Sequence, residues 1–283
     1  MNESIESNAT TLSVDGDDVT VRYLTAGDGP PLLFLHGIGL DAAAVSGRYA
    51  LPALAEEYTV YALDFPGHGE SEKPRRTYTT DYYVDTLSAF VDELAISGAS
   101  VVGVSMGGAV ALGHALDGGR PERLVLVDSY GLGADAYWRT GASLALRVPF
   151  ADSLLWGSMG SRAAVRTSLR TMSGATLPDE LVDDVYETIS PATMRTLRSW
   201  QRHEFQADGL RTDYTARLSE LDVPTLLVHG SEDPLLPVSW SERASELLPD
   251  GQFLAAKGCG HWPHRERPER FNRAVTAFLN SNN

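Results

Sequence analysis

Basic residues, cysteine and long apolar runs are scarce in this chain. Its 283 residues hold 23 Lys and Arg against 38 Asp and Glu, which gives a formal net charge of −15. A phosphate backbone needs a basic protein face, so this charge argues against a nucleic-acid partner. No apolar run approaches the roughly 20 residues of a membrane span, and the acidic, polar N-terminus is unlike a secretion signal. These absences predict a cytoplasmic protein with no membrane partner.

The single cysteine, Cys259, cannot form an intramolecular disulfide. It lies two residues before His261 in the same loop, and we expect it to serve only as a small packing residue. No group of Cys and His has the spacing of a zinc site, and no glycine-rich phosphate motif follows a strand pattern. The sequence therefore predicts neither a metal nor another cofactor.

Ser105 lies at the centre of Gly103-Val-Ser-Met-Gly107, between an apolar run and a helix-forming stretch. The spacing G-x-S-x-G is typical of a sharp strand-to-helix turn that strains the serine and exposes its hydroxyl above a sheet. Small residues on both sides let the turn close. The motif predicts Ser105 as a nucleophile. The backbone N–H of Met106, at the start of the helix, would face an oxyanion formed beside it.

A nucleophilic serine needs a base, and this type of turn implies the chain order serine, acid, histidine. His261 is the predicted base because it lies in a glycine-rich loop near the C-terminus, whereas His264 is expected to start a helix on the surface. Asp233, at the end of an apolar run, is the predicted acid. It would hold the His261 tautomer and stabilise the imidazolium. Asp128, which ends another apolar run, is the rival acid, and its alternative role is a turn or cap; Glu232 is expected to be solvated.

A second oxyanion donor is predicted in the loop that follows the apolar run at 32–35. Within His36-Gly-Ile38-Gly, the backbone N–H of Ile38 is placed to pair with that of Met106. His36, and His68 in the tight loop Asp64-Phe-Pro-Gly-His-Gly, are expected to be structural members of their turns rather than proton carriers.

Together these segments resemble the α/β-hydrolase superfamily, and the resemblance covers nearly the whole chain. Five segments match family landmarks in the right order: His36-Gly-Ile-Gly39, Asp64-Phe-Pro-Gly-His-Gly-Glu-Ser71, Gly103-Val-Ser-Met-Gly107, His229-Gly-Ser-Glu-Asp233 and Gly260-His-Trp262. The resemblance implies a mostly parallel eight-stranded sheet with helices on both faces, and a Ser–His–acid triad that acts on an acyl-type bond.

The alternation of strand and helix patterns predicts an α/β fold independently of that resemblance. An alternating segment at 19–25 predicts an early antiparallel strand. Buried strands are predicted from the apolar runs at 32–35, 58–63, 99–104, 123–127, 224–228 and 252–256. Helices are predicted at about 45–56, 80–97, 106–117, 238–248 and 267–279, with Thr80 or Asp81 as a cap of the second.

One long interval, from 131 to 217, contains no convincing strand pattern. We expect residues 1–130 and 218–283 to form the core domain, and 131–217 to form a helical lid over the site. Trp138 and Trp156 in this lid, and Trp262 beside the predicted base, are candidate pocket residues. Most apolar side chains of the lid are expected to pack on the core.

The predicted reaction is acyl transfer to water through an acyl-Ser105 intermediate. Hydrolysis of a carboxylic ester with a small or medium apolar group is the first prediction, so the expected partner is a small-molecule acyl substrate. The alternative is hydrolysis of a carbon–carbon bond in ring-cleavage products of aromatic degradation, because Gly260-His-Trp262 and the segment 127–133 look like those hydrolases. Those enzymes usually carry Asn before the serine, where this chain has Val104.

Several alternatives stay open at this stage. Arg195, Arg198 or Arg202 would supply the cation that a dienoate substrate needs, although a solvated helix face explains them equally well. Cofactor-free haloperoxidase activity is a third enzymatic possibility. A catalytically silent binding protein is the non-enzymatic alternative, but such proteins often lose a triad member. The oligomeric state does not follow from the sequence.

Lysine is nearly missing, with only Lys73 and Lys257 against 21 arginines. Abundant carboxylates with few lysines resemble the proteins of salt-loving archaea, whose hydrated acidic surfaces stay soluble in concentrated salt. The composition predicts a halophilic protein whose stability rises with molar KCl. A high-GC genome with an acidic protein surface is the alternative explanation.

Overall fold

Eight strands form one sheet in the computed structural model of the protein, which describes residues 5–136, 141, 161–174, 179–206 and 208–281. The spatial order is β1-β2-β4-β3-β5-β6-β7-β8. The strands are β1 Glu6–Val14, β2 Asp17–Ala26, β3 Pro31–Leu35, β4 Thr59–Leu63, β5 Ser100–Val104, β6 Leu124–Val127, β7 Thr225–Gly230 and β8 Gly251–Ala256. The strand β2 is antiparallel to both β1 and β4, and all the other pairs are parallel.

Helices cover both faces of this sheet, so the predicted α/β-hydrolase fold with a mostly parallel eight-stranded sheet is confirmed. The described helices are α1 Ala43–Ser46, α2 Ala50–Leu54, α3 Thr80–Glu93, α4 Met106–Leu116, α5 Arg162–Arg170, α6 Asp179–Thr188, α7 Pro191–Glu204, α8 Val238–Leu247, α9 Pro263–Glu266 and α10 Pro268–Leu279. A 3₁₀ helix spans Thr215–Glu220. Among the described helices, none combines the length and the hydropathy that a membrane span requires.

The core lies on both faces of the sheet because successive strand residues point to opposite sides. In β3, Leu33 and Leu35 join the cluster that packs under α3 and α4, while Leu32 and Phe34 join the cluster under α2 and α10. The strands β5 and β6 are buried along their whole length. Burial of both faces explains why these strands appear in the sequence as continuous apolar runs.

Four local predictions differ from the structure. The apolar run 252–256, predicted as a buried strand, forms β8, but only Ala256 of this strand is buried because β8 lies at the edge of the sheet. The first strand, Glu6–Val14, was not predicted because most of its residues are exposed or half-buried at the sheet edge. The predicted helix 45–56 is two short helices separated at Gly47, a residue of low helix propensity. The cap of α3 is Thr79, whose hydroxyl accepts the N–H of Tyr82 at 3.0 Å, rather than Thr80 or Asp81.

The described part of the interval 131–217 contains the helices α5, α6 and α7. Side chains from α5 and α6 pack with Trp262 and with Ala42 and Val45 of the core in a third apolar cluster. The division into a core and a lid stays a prediction. Trp138 and Trp156, two of the candidate pocket residues, lie outside the described residues.

Candidate active site

Ser105 occupies the turn between β5 and α4 in a strained conformation, with φ of 53° and ψ of −115°. Its N–H donates to the carbonyl of Val127 at 2.8 Å, which ties the turn to β6. A methyl group on Gly107 would lie 2.5 Å from the carbonyl oxygen of Leu35. The close approach of α4 to β3 therefore requires glycine at this position, as the sequence motif predicts.

The three side chains predicted as a triad meet at the carboxyl ends of the strands. His261 Nε2 lies 3.0 Å from Ser105 Oγ, and His261 Nδ1 lies 2.7 Å from Asp233 Oδ2. His261 is only 3% exposed, so this chain of hydrogen bonds is shielded from bulk water. In the neutral tautomer, Nδ1–H donates to the carboxylate and Nε2 accepts the serine proton. The arrangement has the geometry needed for a base that activates an alcohol.

Asp233 is surrounded by hydrogen-bond donors. Its Oδ1 accepts the backbone N–H groups of Leu235 at 2.7 Å and Leu236 at 3.2 Å, and its Oδ2 also lies 3.3 Å from His229 Nε2. Burial alone raises the pKa of the Asp233 carboxyl, but His261 and His229 outweigh burial and hold that pKa well below its usual range. Asp233 is therefore a carboxylate at neutral pH, as an acid that orients an imidazole must be. Its neighbour Glu232 is exposed.

The predicted oxyanion donors border the nucleophile. Ile38 lines the same cavity as Ser105, and Met106 begins α4 directly after it. The loop around Ile38 is held on both sides: the N–H of Gly37 donates to Asp41 Oδ2 at 2.7 Å, and that of Gly39 donates to His68 Nε2 at 3.1 Å. Among the described residues, no acceptor pairs with the N–H of Ile38 or of Met106. Both amides thus remain available for a substrate oxygen, and their role stays a prediction.

His36 and His68 support this loop. His36 Nε2 accepts the N–H of Phe65 at 3.0 Å, and its Nδ1 donates to the carbonyl of Gly37 at 2.6 Å. Burial, reinforced by His36, lowers the pKa of His68 well below its usual value, so its ring stays neutral. Both histidines make the structural contacts expected of them.

His264 and Trp262 lie elsewhere than the sequence suggests. His264 was expected on the surface, but it is fully buried between the rings of Trp262 and Phe271, at centroid distances of 6.2 and 5.8 Å. The prediction for His264 is wrong because tertiary packing covers most of α9, in which Pro263, His264 and Arg265 are all buried. Trp262, a candidate pocket residue, packs against apolar side chains of α5 and α6 and does not belong to the cavity wall beside Ser105.

A cavity of about 270 Å³ opens beside Ser105 and His261. Ile38 lines it from the loop after β3, and Tyr130 from the loop after β6. Trp200 and Gln201 of α7 line it together with Phe205, the residue that follows this helix, and Leu235 and Leu236 line it from the loop after Asp233. Most of this wall is apolar. Local sequence patterns do not mark the six residues other than Ile38 as one wall, because they are scattered over loops and one helix and share no period or motif.

Glu204, at the end of α7, fixes part of that wall from behind. It is fully buried, and its Oε2 accepts the phenol O–H of Tyr130 at 3.0 Å and the N–H of Thr212 at 3.1 Å. Its Oε1 accepts the hydroxyl of Thr80 at 2.9 Å. The Trp200 ring stands edge-on to that of Tyr130 at 5.2 Å, and its indole N–H donates to the same threonine hydroxyl at 3.2 Å. This network joins α7 to α3 and to the nucleophile's surroundings.

Asp128, the rival acid, is also buried close to the site. Its Oδ1 accepts the N–H of Gly230 at 2.7 Å. Within the described ranges, Asp233 is the only carboxylate hydrogen-bonded to His261. Asp128, His229 and Asp233 each place one atom of metal-ligand type within 4.8 Å of the others. The single cysteine, Cys259, is buried, and burial raises the pKa of its thiol to about 11.

The model of the alpha/beta hydrolase family matches residues 32–274 of this chain. The chain is 31% identical over 287 aligned residues to 2-hydroxy-6-oxo-6-(2'-aminophenyl)hexa-2,4-dienoic acid hydrolase of Metapseudomonas resinovorans. This alignment covers 99% of this chain and 94% of that protein. It is also 31% identical to 2-hydroxymuconate semialdehyde hydrolase of Pseudomonas sp., with 90% of this chain and 88% of the relative covered.

The chain is also similar in three-dimensional structure to a solved hydrolase. The meta-cleavage product hydrolase of Pseudomonas fluorescens superposes with a TM-score of 0.80 and 30% sequence identity. The match covers 96% of this chain and 97% of that one, so it includes both the sheet and the described helices between β6 and β7.

Proposed function

Because the chain belongs to the alpha/beta hydrolase family, we propose that it is a serine hydrolase that cleaves the carbon–carbon bond of a 2-hydroxy-6-oxo-dienoate. The hydrogen-bonded chain from Ser105 through His261 to Asp233 carries the hydrolase part of this proposal. The full-length likeness to the dienoic acid hydrolase of Metapseudomonas resinovorans supports the bond type. This order reverses the sequence-based one, in which ester hydrolysis came first.

The first step is attack of Ser105 Oγ on the substrate's carbonyl carbon. His261 Nε2 takes the serine proton as the new carbon–oxygen bond forms, and Asp233 stabilises the resulting imidazolium. The N–H groups of Ile38 and Met106 donate to the oxyanion. In comparable sites, the loss of one such donor costs about 2.7–4 kcal/mol of transition-state stabilisation.

The second step needs a leaving carbon that tolerates negative charge. In the keto form of a 2-hydroxy-6-oxo-dienoate, the carbon next to the attacked carbonyl is conjugated through a double bond to a second carbonyl. When the carbon–carbon bond breaks, its electron pair moves onto the oxygen of that second carbonyl, and the imidazolium of His261 returns a proton to the product. Water, deprotonated by His261, then attacks the acyl carbon. The bond to Ser105 Oγ breaks, the imidazolium returns the proton to that oxygen, and the carboxylic acid is released.

Ester hydrolysis is the second candidate, and the cavity wall favours it. Beyond Ser105 and His261, the polar side-chain groups of the described wall are the Tyr130 phenol, the Trp200 indole N–H and the Gln201 amide. The first two already donate, to Glu204 and to Thr80 respectively. A dienoate carries a carboxylate that needs a cation or several donors. Of the three arginines considered for this role, Arg195 and Arg202 are exposed and Arg198 is buried on α7.

The proposal includes a lid formed by residues 131–217. Trp200, Gln201 and Phe205, all in this interval, form one side of the cavity over Ser105. These three residues come from an insertion between β6 and β7, which fits a lid that limits the size of the substrate. The catalytic residues themselves follow strands of the sheet.

A direct competition between substrates tests the proposal. The purified protein is assayed with 2-hydroxy-6-oxo-6-phenylhexa-2,4-dienoate and with p-nitrophenyl acetate and butyrate, and kcat/KM is compared. We expect the dienoate to be preferred by at least about 100-fold, equivalent to about 2.7 kcal/mol of differential transition-state binding. A preference for the esters would replace the carbon–carbon assignment by the second candidate. Ser105→Ala is the control for both activities.

A further inference from the structure

Two carboxyl groups are buried together behind the catalytic imidazole. Asp128 follows β6 and Asp233 follows β7, two neighbouring strands of the sheet. Both side chains have no exposed surface, and one oxygen of each lies within 4.8 Å of the other and of a nitrogen of His229. Two negative charges at this separation, away from water, repel each other strongly.

The surroundings of the two groups are unequal. Asp233 accepts hydrogen bonds from two backbone N–H groups and from His261, and it also faces His229. Asp128 accepts one, from the N–H of Gly230, and its Oδ2 has no partner among the described residues. A buried carboxylate with so few donors is costly, whereas a neutral carboxyl group is tolerated. The negative charge of the pair therefore belongs on Asp233.

The other titratable groups around Asp128 do not supply a positive charge that would favour an ionised Asp128. Cys259 faces it from the loop after β8 and Glu266 from the end of α9, and neither is cationic. His229 Nε2 lies 3.7 Å from Asp128, but nearer to Asp233 at 3.3 Å and to the carbonyl of Leu236 at 3.1 Å. Burial and the charge of Asp233 raise the pKa of Asp128 well above its usual value.

We propose that Asp128 is held as a neutral carboxylic acid and is a positioning residue of the triad, whose O–H donates to the Asp233 carboxylate. The inference rests on the proposed role of Asp233 as the acid that orients His261. The protonated carboxyl group of Asp128 gives the Asp233 carboxylate one more hydrogen bond and places no second negative charge beside the imidazole. Asp128 also ties the end of β6 to β7, because its Oδ1 accepts the N–H of Gly230 at 2.7 Å. Its backbone φ of 43° shows that the turn is held in an uncommon conformation.

Asparagine is the matched substitute for a neutral aspartic acid, because it has the same shape and carries an N–H donor. In Asp128→Asn, we expect the rate of Ser105 labelling by a fluorophosphonate to stay within about threefold of that of the original protein. The labelling rate falls at low pH as His261 is protonated, and we expect the midpoint of this fall, the acidic limb of the pH profile, to move by less than about 0.3 pH unit. Asp128→Ala removes the donor, and we expect labelling to slow about tenfold or more.

An ionised Asp128 predicts the opposite pattern. Its replacement by Asn would then remove a negative charge that stabilises the imidazolium, and the acidic limb would move down by about one unit or more. That shift, or equal losses in Asp128→Asn and Asp128→Ala, would overturn the proposal. So would a metal ion that co-purifies at one equivalent and is lost in Asp128→Asn, because a cation would keep both carboxyl groups charged.

Infrared spectroscopy tests the proton without reference to catalysis. At pH 7 we expect the C=O band of a protonated carboxyl group in the original protein and in Ser105→Ala, and its loss in Asp128→Asn. The absence of such a band would refute the neutral acid even if every variant were active. If the band is present but Ser105 is not labelled in the original protein, the proposed function fails and the neutral acid stands.

Discussion

Ser105 Oγ lies 3.0 Å from His261 Nε2, although the two residues are 156 positions apart along the chain. The serine is presented by the turn after β5, and the histidine by the loop after β8, three strands away in the sheet. Their contact exists because the carboxyl ends of parallel strands meet at one edge of the sheet. The hydrolase proposal therefore depends on the sheet topology as much as on the motif around the serine.

The contact predicts that Ser105→Ala abolishes turnover of any accepted substrate, with a loss of about 10⁴-fold or more in kcat. Asp233→Asn should lose about 10⁴-fold by fixing the wrong His261 tautomer. Steady-state kinetics with the best substrate measures both effects, and circular dichroism shows that the fold is kept. Glu232→Gln, at the exposed neighbouring position, is the control and should keep full activity. Substantial activity in Ser105→Ala would remove this serine from the mechanism.

Gly107→Ala should disable the nucleophile turn. The added methyl group would lie 2.5 Å from the carbonyl oxygen of Leu35 and 2.7 Å from that of His36. Both are backbone atoms at the end of β3, where the loop around Ile38 begins. We expect a loss of fluorophosphonate labelling together with lower thermal stability. Gly209→Ala is the matched control, since its methyl group would meet Ala134 at an ordinary contact distance of 3.4 Å. Normal labelling of Gly107→Ala would show that α4 can move away from β3.

Tyr130→Phe should weaken binding more than chemistry. It removes the O–H that donates to the buried Glu204 carboxylate but keeps the ring that lines the cavity. A buried acceptor that loses its donor costs about 1–3 kcal/mol, so we expect a lower free energy of unfolding by that amount and a higher KM with kcat nearly kept. Denaturant unfolding and steady-state kinetics measure the two effects. Tyr186→Phe is the control because Tyr186 is 39% exposed. A fall in kcat with unchanged KM would contradict the role in positioning the wall.

Stability should fall as the pH drops below about 6.5, partly through His264. Burial lowers the pKa of His264 well below the 6.5 of the unfolded chain, so the folded ring stays neutral while the unfolded one takes up a proton. The free energy of unfolding is therefore unaffected above pH 6.5 and decreases below it, by at most about 1.4 kcal/mol per pH unit for this group. Urea unfolding at pH 8 and pH 5.5 should show a smaller difference for His264→Leu than for the original protein. An equal difference would mean that His264 is protonated in the folded state.

High salt should stabilise the protein. The net charge of −15 produces self-repulsion, which molar KCl screens, and the abundance of carboxylates over lysines adds the expectation of a halophile. We expect Tm to be higher in about 2 M KCl than in about 0.1 M KCl. Differential scanning calorimetry at both concentrations measures this, with refolding yield as a second readout. An unchanged Tm would favour an acidic surface without adaptation to salt.

Local sequence determined the features whose physical requirements are local. The glycines around Ser105 are dictated by backbone atoms one turn away, so the G-x-S-x-G spacing alone predicted the turn and its conformation. Strands β3 to β7 were predictable because burial on both faces leaves continuous apolar runs. The family followed from the order of such segments along the chain.

Only the tertiary structure decided between groups that look alike in the sequence. Asp128 and Asp233 both end apolar strands, and the one that reaches His261 is set by how neighbouring strands and their loops lie in space. The burial of His264, the cavity wall and the Glu204 network were equally beyond local patterns. Each depends on contacts between elements distant in the chain, whose energies come from packing and hydrogen bonding rather than from the propensities of the residues involved.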